Sequence, residues 1–187
     1  MNMLDWTAMR DENLLRLEQQ TGKSVTYWTG RIRKQSFKDR EALRQWLETE
    51  GVVGYPSMFL VMETFGYPDY MTATADELIN QQYADREALR PVLEAILNGA
   101  LQMGEMTVQA RKGFVALLTT KRTFARIKPT TRSRIDVGLR LATQLPEGRL
   151  KPCKMEENMK VQVSASTVED VDADFLAWVR MAYLENC

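Results

Sequence analysis

The chain has 187 residues, 44% hydrophobic and 27% charged, with 25 Lys/Arg balanced by 25 Asp/Glu; this is ordinary globular composition and indicates neither a disordered chain nor a membrane protein. No histidine is present, which removes Ser-His-Asp and Cys-His nucleophile pairs and every histidine-bearing zinc site. The longest uncharged stretch, 51–62, is too short for a bilayer span and is broken by Pro56.

The first helix is expected from a Thr7 cap to about Gln20, with Leu14, Leu15 and Leu17 on its apolar side and Thr21-Gly22 as its stop. Asp5, Arg10, Asp11 and Glu12 interrupt any long apolar run in residues 1–12, so a standard signal peptide is not expected there. Ser24 then caps a second helix carrying Val25, Trp28 and Ile32, and Asp39 a third with Leu43, Trp46 and Leu47 inward and Gly51 after it. A fourth lies between Pro56 and Gly66, and a fifth begins near Thr74 with Leu78 and Ile79 inward. Gly54-Tyr55-Pro56 recurs as Gly66-Tyr67-Pro68. Two aromatic elbows framing a groove are one reading; helix punctuation, Pro at a start and Gly past an end, is the simpler one. The hexapeptide at 39–44, Asp-Arg-Glu-Ala-Leu-Arg, recurs at 85–90. Its flanks differ at once, so both copies read as the same helix opening with an Asp cap rather than a duplication.

A longer helix is expected over 85–103, with Leu89, Val92, Leu93, Ile96 and Leu97 on one side and Pro91 either kinking it or marking its true start. The period then changes. Residues 114–119, 124–128, 133–141 and 160–164 alternate at period two and read as strands, with 120–123 and 129–132 as hairpin connections. A closing helix is expected over 168–184, capped by Ser166 or Thr167, with Val171, Phe175, Val179 and Ala182 buried. The fold class is therefore α+β, a small helical N-terminal domain over 1–83 followed by an antiparallel sheet flanked by helices over 84–187.

The segment 17–24, Leu-Glu-Gln-Gln-Thr-Gly-Lys-Ser, with Trp28 and then Trp46-Leu47-Glu48 leading to Gly51, resembles domain-of-unknown-function family 4287. The stretches 124–129 (Phe-Ala-Arg-Ile-Lys-Pro), 134–139 (Arg-Ile-Asp-Val-Gly-Leu) and 148–150 (Gly-Arg-Leu) resemble domain-of-unknown-function family 5655. So do the closing Val171-Asp172-Ala173, Leu176-Ala177-Trp178 and Ala182-Tyr183. The resemblance implies a two-part bacterial protein, a fold and its boundaries, but no activity. Relatives often carry His-Gly-Tyr-Ala near Val53 to Ser57 and a histidine near Met159; this chain has neither imidazole.

Charge is the most informative signal. Residues 105–165 carry 13 Lys/Arg against 5 Asp/Glu, a net of +8, while the segments on either side are each −4. Alternation puts Arg126 and Lys128 on one side of their strand and Ala125 and Ile127 on the other. In the next strand Arg134, Asp136 and Arg140 oppose Ile135, Val137 and Leu139. Arg126, Lys128, Arg134 and Arg140 are therefore expected on a common outer face with Phe124 at its edge, a platform for single-stranded nucleic acid or another polyanion. The competing reading is a solvated sheet face, or one covered by the acidic helices of the same chain. Arg111-Lys112 and Lys121-Arg122 read as loop charges.

Asp170-x-Asp172-x-Asp174 fails as a calcium loop, because Phe175 stands where glycine is required and Met181 where glutamate is; capping explains it better. No phosphate-binding glycine loop is present. Cys153 and Cys187 read as reduced thiols, and the expected setting is the cytoplasm. No cofactor, metal, membrane or catalytic residue is expected. The function expected is a non-enzymatic binding protein; the alternatives are a homodimer or interaction module pairing acidic helices with the basic sheet, and a small-ligand protein or enzyme with a carboxylate or Tyr site.

Overall fold

The computed structural model describes residues 3, 4 and 6–187, with side chains from Arg10 onward. The chain divides into a helical unit ending at Ala73 and a sheet unit made of residues 3–4 and Thr74–Cys187. Helices precede an antiparallel sheet and a closing helix, so the fold is α+β.

The helical unit comprises α1 (Trp6–Thr21), α2 (Val25–Gln35), α3 (Arg40–Thr49), α4 (Tyr55–Phe65) and α5 (Asp69–Thr72). Ser24 and Asp39 cap α2 and α3, accepting from the backbone N–H groups of Tyr27 and Ala42; each such cap satisfies a donor the helix itself leaves open. The Thr7 side chain lies outside those described. Helix α4 is apolar on nearly every side, burying Pro56, Phe59, Leu60, Val61 and Met62, as expected of a helix packed on by its neighbours. Leu17, Trp28, Ile32, Leu43 and Leu47 complete this core from α1, α2 and α3. Gly54 and Gly66 bracket α4 with φ of 67° and 88°, so the Gly-Tyr-Pro repeat punctuates the helix.

In the sheet unit, α6 (Ala75–Tyr83) opens on a capping box between Thr74 and Glu77. It packs against β2 (Thr107–Ala110), and the Gln82 amide donates to the Arg111 carbonyl at 2.6 Å. That packing puts α6 with the sheet, whereas a boundary at 83 would have grouped it with the helices before it. The long helix expected from 85 starts instead at Arg90, as α7 (Arg90–Leu101), with Pro91 in its first turn and a 3-10 turn over Glu87–Leu89 before it.

Strand β1 (Met3–Leu4) runs parallel to β2; β3 (Val115–Leu118), β4 (Thr123–Pro129), β5 (Ile135–Leu139), β6 (Lys151–Pro152) and β7 (Val161–Ala165) extend the sheet in the order β1-β2-β3-β4-β5-β7-β6. Register stacks Leu117, Ala125, Leu139 and Val161 in one row and Val115, Ile127, Val137 and Val163 in the next. All eight are fully buried, each Val, Leu or Ile among them contributing about 1.5–3 kcal/mol by leaving water. The closing helix α8 (Ala173–Glu185) crosses β4 and β5 and packs along α7. It starts at Ala173 because Asp172, not Ser166 or Thr167, accepts from the Phe175 N–H. Those two residues instead donate their backbone N–H groups to Asp170, and Val171 precedes the helix.

Candidate functional site

The opposite face of the sheet is built by the other residues of each pleat. One row reads Ala116, Arg126, Gly138, Gln162 and Lys151 across five strands, and the next reads Lys128, Asp136 and Ser164. Since α8 packs against the apolar rows, the acidic end of the chain does not lie over this face.

What does fold over it is the β6–β7 connection. A Cβ built on Gly138 would meet Cys153 Sγ at 3.0 Å and Met155 Sδ at 3.1 Å. A side chain at this position would need those two sulfurs to give by a few tenths of an ångström, so the loop rests closely on the glycine. The same loop brings Glu156 to Arg126, forming an ion pair, and the Arg126 guanidinium lies 4.6 Å from the centre of the Phe114 ring.

Beside the loop an open groove of about 580 Å³ is lined by Lys128, Arg134, Asp136, Lys151, Lys154 and Gln162. Asp136, only 2% exposed, accepts from the Ser164 hydroxyl at 2.6 Å and pairs with Arg134 Nε at 3.0 Å. Its charge is thus spent within the protein. Among the described residues Lys128, Lys151 and Lys154 have no carboxylate partner, and all three are exposed. Four cations converge where one buried carboxylate answers one of them.

The sequence-derived set therefore separates. Lys128 and Arg134 share the groove, and Arg126 flanks it, neutralised by Glu156. Arg140 lies elsewhere, in a hollow of about 290 Å³ with Arg122, Asn158, Lys160 and Glu185, the last a residue of the terminal helix whose carboxylate accepts from the Ala142 N–H at 2.8 Å. Phe124 is fully buried, its ring edge-on to Tyr183 of α8 at 5.5 Å. The cause is a bulge. Leu118 opposes Thr123 while Leu117 opposes Ala125, so Phe124 is the extra residue and the alternation that would put it beside Arg126 fails there. The aromatic at the edge of the basic face is Phe114. Lys151 and Lys154 escaped the pattern because β6 has two residues, too few to show a period; their only sequence signal is membership of the basic segment.

Comparison with known proteins finds the family model of a domain of unknown function, DUF5655, over residues 79–186. No curated protein and no solved structure matches the chain.

Proposed function

This chain belongs to the DUF5655 family, a membership that brings no activity with it, and we propose from the geometry that it is a non-enzymatic binding protein whose outer sheet face engages an anionic partner, single-stranded nucleic acid foremost. The observation that carries this reading is the groove itself: Lys128, Lys151 and Lys154 without carboxylates, around an Asp136 already committed to Arg134 and Ser164. Like charges gathered on neighbouring strands repel one another, and phosphates held in the groove relieve that repulsion. Lysine supplies point charges to a backbone without reading sequence. The Phe114–Arg126 stack at the border offers an aromatic and a guanidinium plane of the kind single strands lie against. Binding is cytoplasmic in this reading, and the helical unit is the 4287-type part of a two-part bacterial chain.

Fluorescence anisotropy with a labelled mixed-sequence single-stranded DNA, repeated over a series of salt concentrations, tests it. Affinity should fall linearly on logarithmic axes, with a slope of about −0.7 per phosphate contact. A flat response, or no binding at low salt, rejects the proposal.

A further inference from the structure

A second pocket, independent of the basic face, lies where α6 meets α7. It has a volume of about 610 Å³ and is lined by Asn80, Tyr83, Ala84, Glu87, Arg90 and Pro91. Tyr83 is 1% exposed, yet its hydroxyl has no hydrogen-bond partner, and neither has the buried Nη1 of Arg90. An unpartnered buried donor is costly, and native proteins rarely keep one; here the two residues that carry them line one pocket. The Arg90 guanidinium lies 6.0 Å from the Tyr83 ring centre, so the two groups are neighbours. Burial pushes the phenol well above its usual range, against the pull of Arg90 and Arg86, which keeps its proton available to donate.

The first copy of the repeated hexapeptide shows what these residues do when nothing is missing. Arg44 pairs there with Glu41, three residues before it, at 3.1 Å. Arg90 and Glu87 hold the same relative positions, but among the described residues Arg90 has no carboxylate partner. Arg86 is spent on Asp85 and the Pro129 carbonyl, at 2.6 and 2.7 Å.

We infer that this pocket binds a small monocarboxylate, its oxygens accepting from the Tyr83 hydroxyl and Arg90 Nη1. One uncommitted guanidinium and one neutral phenol match a single negative charge. A dianionic phosphate is disfavoured, because Glu87 in the same wall repels it. Ala84 and Pro91, both exposed, receive a short apolar body, and small shifts of the Tyr83 and Arg90 side chains into the pocket bring the hydroxyl and the guanidinium nitrogen to the ligand.

The test is an NMR titration of the full chain with sodium propionate, using propionamide as the uncharged molecule of the same shape. Propionate should give saturable shifts at Tyr83, Glu87 and Arg90. Propionamide, Tyr83→Phe and Arg90→Gln should each weaken binding about tenfold or more, the loss of one charge-assisted hydrogen bond. Tyr83→Phe should melt no lower than the parent, since it removes a hydroxyl without a partner. No saturable response to propionate, an equal response to propionamide, or undiminished binding by both variants overturns the inference. So does a lower melting temperature for Tyr83→Phe, which would mean that the hydroxyl already has a partner such as a bridging water.

Discussion

The helical unit and the outer face of the sheet put their cationic residues to opposite ends. In the helical unit, Arg10 pairs with Glu63 and Arg16 with Glu12. Arg31 reaches both carboxylate oxygens of Glu50 while lying 5.6 and 5.0 Å from the ring centres of Trp28 and Trp46. On the sheet, Lys128, Lys151 and Lys154 share a groove whose one carboxylate is occupied elsewhere. The difference lies in the supply of partners: each of those arginines has a carboxylate within reach, and none of the three groove lysines has one among the described residues. A cation with a carboxylate and an aromatic face is spent on the fold; one left among its like is available to something outside. The repeated hexapeptide makes the point within identical sequence. At 39–44 Asp39 caps α3 and Arg44 finds Glu41, while at 85–90 Asp85 pairs with Arg86 and Arg132 and Arg90 is left over. Pro91 explains the divergence, because it fixes the start of α7 and leaves the preceding residues to a 3-10 turn.

The assignment of Phe124 to the core is broken or confirmed by Phe124→Ala, which should cost about 3–5 kcal/mol in denaturant unfolding. A neutral result would return the ring to the surface and to nucleic-acid stacking. Next in size is the triple variant Lys128→Ala, Lys151→Ala, Lys154→Ala. Three contacts at a slope of about 0.7 each correspond to roughly a hundredfold loss of single-stranded DNA affinity at 0.1 M salt. Thermal stability of that variant should stay level or rise, as mutual repulsion is removed. Arg31→Ala should do the reverse, lowering the melting temperature and leaving DNA affinity alone. The two hexapeptide copies separate under Asp39→Ala and Asp85→Ala. Loss of the Asp39 cap should cost about 1 kcal/mol, and the Asp85 variant should cost less in the same unfolding assay.

Smallest is the response to pH. The chain has no histidine, the one side chain that ordinarily titrates between about pH 5 and 8, so its stability should be level across neutral pH. Glu50 is held below its ordinary 4.5 by the Arg31 guanidinium, and Glu77 below the same value by the Thr74 backbone N–H. Asp170 and Asp172 are held below 3.8 chiefly by the N–H groups of Ser166 and Phe175. A carboxyl lowered in the folded state stabilises above its unfolded value, and that contribution is lost as pH falls through the folded one. Melting temperature should therefore drop only below about pH 4.5. A step between pH 6 and 7 would contradict these assignments.

Much of the fold was readable from local chemistry. The Ser24 and Asp39 caps, the Gly66 stop and the alternation of 125–128 each express a preference held within a few residues. What escaped depended on partners distant in sequence. The bulge that turns Phe124 inward is a property of the β3–β4 pair. The β2 strand is too short to show a firm period, and β6 shorter still. For the site, Lys128 and Arg134 came from pleat geometry, whereas Lys151 and Lys154 arrive because β6 pairs with β7 at the far edge. The neutralisation of Arg126 required knowing that the β6–β7 loop folds back over Gly138.

One comparison reaches the central claim most directly: the salt dependence of single-stranded DNA binding, measured for the parent chain and for the triple lysine variant. The parent slope should exceed that of the variant by about 2, three contacts at roughly 0.7 each. Equal slopes would mean that the groove lysines meet no phosphate, and that whatever this protein holds is held elsewhere.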